Sequence, residues 1–154
     1  MLFLLLKWLH ILSAIIAVGA NITYGVWTAR ASREPKALPF TLRGIKVIDD
    51  LIANPAYIVL LITGLAMAHA GGFSIKAPWL LTSLSLYILV AVIGFFGYSP
   101  NLRQRIESLD RDGFQSANYQ ALARRGKMLG AVLGILVMVI IFLMVVKPGL
   151  GARD

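Results

Sequence analysis

Residues able to do chemistry are scarce in this chain. It holds two histidines and no cysteine, which excludes disulfides, thiolate metal sites and thiol catalysis and leaves imidazole as the main ligating group. His10 is the more informative of the two. It lies inside the apolar run MLFLLLKWLHILSAIIAVGANITYGVWT, Met1 to Thr28. If a membrane begins near Leu2, the ring sits about 12 Å deep at the helical rise. An ionisable group at such depth is a functional-site hypothesis by default. At helical periodicity Phe3, Lys7, His10, Ala14, Ala17, Asn21, Tyr24, Gly25 and Thr28 share one stripe, with Leu5, Trp8, Leu12, Ile15, Ile16, Ile22 and Val26 opposite. In lipid the large aliphatics face outward and the small and polar residues face protein.

Three chemistries suit an imidazole on that inner stripe. It can tie helices together through a hydrogen bond to Tyr87 or Ser83. It can serve as axial ligand to a b-type haem held between facing helices, with Ala14, Ala17 and Gly64 leaving room for a flat ring. Lys7, one turn further out, would then pair with a propionate, and Met138 is a poor second ligand. It can also hold copper, which imidazole and thioether ligands suit; Met67, His69 and Met144 lie towards the same end. Counted by depth from that end, His10, Gly64, Tyr87 and Met138 share a layer. His69 falls off the inner stripe of its own helix and reads as an exposed interfacial residue.

The elements that must position these groups are membrane spans. The chain has 154 residues, 58% hydrophobic and 14% charged, far from the composition of a soluble domain. Four apolar segments approach the roughly 20 residues a crossing needs: about 2–28, 46–70, 78–98 and 127–147. These predict an all-α fold, a single integral membrane domain built as an antiparallel four-transmembrane-helix bundle. The N-terminal run is read as a retained first span, because its basic residue lies inside the apolar run and not before it. Pro55 predicts a kink in the second span, whose inner stripe is Asp50, Asn54, Tyr57, Leu61, Gly64 and Ala68. Before the last span, Leu102, Ile106 and Leu109 mark an amphipathic cytoplasmic helix, lying on the membrane or extending span four.

The net charge of +8 is concentrated and not spread over a surface, so it does not point to nucleic acid. Eleven of the 15 Lys and Arg fall within Arg30–Lys46 and Arg103–Lys127. By the positive-inside rule both stretches belong in the cytoplasm, which places both termini and the Gly71–Ala77 turn in the periplasm of a bacterial inner membrane. Asp49 and Asp50 read as ion-pairing partners of Lys46 and Arg43 at a helix start. Gly126, Gly130 and Gly134 form a doubled small-xxx-small pattern, suited to tight packing within the chain or to a homo-oligomer or larger membrane complex. No phosphate-cradling loop, hydrolase elbow, zinc motif or pair of intramembrane carboxylates is present.

Several motifs carry a resemblance that runs nearly end to end. Leu5-Leu6-Lys7-Trp8-Leu9-His10-Ile11-Leu12-Ser13-Ala14, Thr63-Gly64-Leu65, Gly72-Phe73-Ser74, Ala77-Pro78-Trp79-Leu80 and Phe142-Leu143-Met144-Val145-Val146-Lys147-Pro148-Gly149 resemble DUF2269, a bacterial family of predicted integral membrane proteins of unknown function. The Lys-x-x-His opening is also similar to the copper-resistance protein D family and to HemJ-type protoporphyrinogen oxidases. The HemJ-type resemblance implies a haem-binding role for the first-span histidine, the position of His10. The tryptophan that usually follows that histidine within two turns is missing here, and Asn21 and Tyr24 occupy the later stripe. The resulting expectation is haem-linked electron transfer through His10, against a non-catalytic accessory subunit or copper handling.

Overall fold

The computed structural model describes residues 1–147; Pro148 and Gly149, named above, lie outside the described residues. All regular structure among the described residues is helical. Helix α1 spans Leu2–Ala31, and a short 3-10 turn, Pro35–Ala37, leads into α2, Leu38–Ile48. A π-helical turn, Asp49–Ala53, joins α2 to α3, Asn54–Ala70. Helix α4, Pro78–Val92, passes through a second π-helical turn, Ile93–Tyr98, into α5, Ser99–Asp112. Helix α6 covers Ala117–Val146. Among the described residues, four continuous helical stretches are long and apolar enough to cross a membrane.

Both π turns have the same cause. Each immediately precedes a proline in the first turn of the following helix, Pro55 in α3 and Pro100 in α5. Proline lacks the N–H for the i−4 bond, and its ring crowds the carbonyl four residues back. Widening the preceding turn relieves both conflicts without a sharp break. The expected kink at Pro55 is therefore a π turn just before it. The wide turn also shifts the phase of the helix, so Asp49 is buried and Asp50 exposed. The amphipathic segment carrying Leu102, Ile106 and Leu109 extends span three, not span four, because the chain runs through Ile93–Tyr98 without leaving the helix.

In the helix packing, α1 lies along α3, while α4 and α5 lie along α6, and α2 packs between α1 and α5. The inside-out reading of α1 holds: Leu5, Trp8, Leu12, Ile15, Ile16, Ile22 and Val26 are all exposed, and Ala17 and Tyr24 are buried. Ser13, Ala20 and Ala31 are buried as well, so the inner face is turned slightly from the predicted stripe. The continuous core lies at the end of the bundle that carries the basic connections. Ala20, Tyr24, Ala31, Leu38, Leu42, Ile45, Ala53, Leu102, Leu109 and Tyr119 form it. At the opposite end α6 stops at Lys147 in the left-handed conformation, φ 46°. Its ammonium stands 5.4 Å from the Phe73 ring centre and 5.5 Å from that of Trp79, a cation–π clasp over the 71–77 turn.

The glycine series on α6 divides. Gly126 is buried against α5, where a Cβ would begin 2.6 Å from Asn101 Oδ1. Gly130 has only the edge of the Tyr98 ring at 3.9 Å, and Gly134 has nothing within 4 Å. Close approach within the chain thus uses the first glycine alone. Gly134→Ala is expected to leave the thermal midpoint of the purified protein unchanged or raised, since alanine gains about 0.5–1 kcal/mol over glycine in a helix interior. A drop in that midpoint would show that Gly134 is needed for packing.

Candidate functional site

His10 projects from α1 onto α3. Its Nδ1 lies 3.0 Å from the Leu60 carbonyl oxygen and 3.1 Å from Thr63 Oγ1. A carbonyl can only accept, so Nδ1 carries the hydrogen and donates. The Thr63 hydroxyl donates in turn to the Val59 carbonyl at 2.7 Å, leaving its lone pairs facing the imidazole. This fixes the tautomer and leaves the Nε2 lone pair uncommitted: Nε2 makes no hydrogen bond among the described residues. A donor–carbonyl bond on one nitrogen with the other open is the arrangement that orients ligating histidines.

Gly64 makes the contact possible. A Cβ at this position would meet His10 Cε1 at 3.0 Å and Nδ1 at 3.5 Å. The missing side chain lets the imidazole lie across α3 and reach the second lone pair of a carbonyl already used within the helix. The space expected beside Gly64 for a flat ring is therefore filled by the imidazole itself.

The other predicted residues divide. Ala17 is fully buried and Ala14 partly so, on the flank of α1 that carries His10. Lys7 is exposed one turn further out and makes no ion pair among the described residues. Tyr87 does not bond to His10. Its hydroxyl donates to the Tyr57 carbonyl at 2.5 Å, and Ser83 donates to Trp79 O at 2.7 Å. Met138 is 63% exposed, in an open groove lined by residues of α6 alone, so the structure does not bring its thioether to the histidine. His69 is exposed at the end of α3.

Deeper in the bundle, Asn21 donates to the Ala17 carbonyl at 3.0 Å and to the Tyr57 hydroxyl. Tyr24 and Tyr98 stack with ring centres 6.5 Å apart. Asp49 accepts from Ser99 at 2.7 Å and Asn54 at 3.5 Å, whereas Lys46 pairs with Asp50. Asp49, read from the sequence as ion-paired, is buried without an ion pair among the described residues, and Arg43 pairs instead with Asp110; the burial of Thr63 and Arg105 was not read from the sequence. Arg105 had a readable signal, because at helical spacing it falls on the α5 stripe between Leu102 and Leu109, where a solvated arginine does not belong.

Four apolar crossings, small and polar residues turned inward, and an imidazole held within the helical array define a polytopic helical membrane protein. The chain belongs to the DUF2269 family of predicted integral membrane proteins, whose family model matches residues 4–148. No curated protein and no solved structure matches it.

Proposed function

We propose that this is a bacterial inner-membrane protein that binds b-type haem through His10, for electron transfer or haem-linked redox chemistry, with its basic connections in the cytoplasm and its termini in the periplasm. The supporting observation is the histidine's hydrogen bonding. Donation from Nδ1 to Leu60 holds the ring and keeps the Nε2 lone pair available. Thr63 and Leu60 orient the ring, and Gly64 gives it its place on α3. Ala14 and Ala17 are the small residues on its flank of α1. Lys7 sits one turn towards the surface, where its ammonium suits a propionate carboxylate. The haem would supply one-electron redox chemistry. With Met138 turned outward, His10 is the residue that would hold the haem iron.

A second reading, a non-catalytic accessory subunit of a larger membrane complex, is favoured by the same ring filling the notch over Gly64, where it pins α1 to α3. Absorbance distinguishes the two. Wild-type protein purified with haem supplied is expected to show a Soret band that His10→Ala abolishes and Met138→Ala retains, with helicity by circular dichroism unchanged. A wild type that stays colourless overturns the haem reading and leaves the accessory role. Lys7→Ala is expected to speed haem loss severalfold without altering helicity; unchanged retention would remove Lys7 from the site.

A further inference from the structure

Arg105 is 4% exposed, yet makes neither an ion pair nor a hydrogen bond among the described residues. The acids that form ion pairs among the described residues form them with other cations: Asp110 with Arg43 at 2.8 Å, Asp50 with Lys46, Glu107 with Arg103 at 3.2 Å and Asp112 with Arg111 at 2.8 Å. Asp49 is held by Ser99 and Asn54. A buried guanidinium without a counter-charge is strongly unfavourable. The Tyr119 ring, 5.9 Å from Cζ, offsets only part of that cost.

Close packing at Gly126 leaves no room for a ligand on that side of the guanidinium, since a Cβ there would stand 3.2 Å from Arg105 Nη1 and 2.6 Å from Asn101 Oδ1. Asn101 donates through Nδ2 to the Leu122 carbonyl at 3.1 Å, and its Oδ1 is buried without a partner among the described residues. Of the three guanidinium nitrogens only Nε is sealed from solvent, so the Nη edge remains the accessible one. Arg124, Arg125 and Lys127 flank Gly126 on α6, all exposed and none ion-paired among the described residues. Their summed field draws anions towards this end of the bundle.

We infer that Arg105 is the centre of a binding site for a phosphate oxyanion, which takes the Nη edge of the guanidinium as a fork while Arg124, Arg125 and Lys127 supply the attracting field. Guanidinium is suited to this because its planar donors match phosphate geometry, which a lysine ammonium cannot reproduce. The oxyanion can come from a phospholipid headgroup at the bilayer surface or from a free phosphate, and the two arms of the test separate these sources.

The full chain in detergent is heated while intrinsic tryptophan fluorescence is followed. One arm titrates inorganic phosphate against chloride at matched ionic strength; the other adds phosphatidylglycerol against phosphatidylcholine in mixed micelles. The wild type is expected to show a saturable rise in midpoint in at least one arm. Response to phosphatidylglycerol alone marks a headgroup, and response to inorganic phosphate marks a free anion. Arg105→Gln is expected to lose the response, and Arg105→Lys, which keeps the charge and the fold, to weaken it at least tenfold. Arg103→Gln, on an exposed residue paired with Glu107, keeps it. No saturable response in the wild type, or an Arg105→Lys response equal to it, overturns the site.

Discussion

Gly126→Val is expected to lower the thermal midpoint of the protein by about 10 °C, the largest stability effect of any single glycine replacement on α6. A side chain there begins 2.6 Å from Asn101 Oδ1 and 3.2 Å from Arg105 Nη1, inside contact distance for both. Asn101 cannot swing away freely, because its amide nitrogen is bonded to the Leu122 carbonyl. Overpacking costs about 1–3 kcal/mol, and stranding a buried polar group adds about 1–3 kcal/mol more. Each kcal/mol shifts the midpoint by about 2–4 °C in a chain of this size. A Gly126→Val midpoint within two degrees of Gly134→Ala would show that α5 and α6 are not packed as described.

The second large effect falls on the histidine. Gly64→Leu is expected to expel the imidazole from its notch, destabilising the bundle by about 1–3 kcal/mol and, in haem-loaded protein, removing the Soret band as fully as His10→Ala. The Cβ alone already stands 3.0 Å from Cε1, and the remaining atoms of leucine require the ring's own volume. Thr63→Val is a contrasting control. It deletes one hydrogen-bonding group and keeps the shape, and interhelical hydrogen bonds in membranes average well under 1 kcal/mol. Its expected effect on the midpoint is therefore small. Thermal melts and absorption spectra on the same samples separate two roles: loss of stability without any spectral consequence identifies a structural pin.

Hydrophobic run length and the inverted polarity of α1 were enough to read the number of crossings and the lipid-facing residues from the sequence. Leu5, Trp8, Ile15 and Ile22 all face outward as expected. The importance of His10 was readable from its depth, but its partners were not. Depth counting places Tyr87 in the same layer, whereas the contact is with α3 through the Leu60 backbone, and a carbonyl leaves no mark in a side-chain pattern. The burial of Asp49 in place of Asp50 was hidden for another reason. A fixed 100° increment cannot anticipate a π turn, and one widened turn before Pro55 shifts the residues that face inward. Arg105 was grouped with the basic connection as a topology signal, which obscured its position on the apolar stripe of α5.

The uneven distribution of buried side chains has a consequence for how the protein behaves in different lipids. The continuous core sits at the basic end, while the most apolar stretch of α6 contributes no buried residue. Cohesion at that end is intrinsic; towards the termini it is lent by the surrounding acyl chains. Hydrogen exchange should thus be slow at Leu42, Leu102 and Tyr119 whatever the solubilising medium. Amides near His10 and the Lys147 clasp should exchange faster as the hydrocarbon layer is thinned, which makes bilayer thickness a natural regulator of the histidine's surroundings.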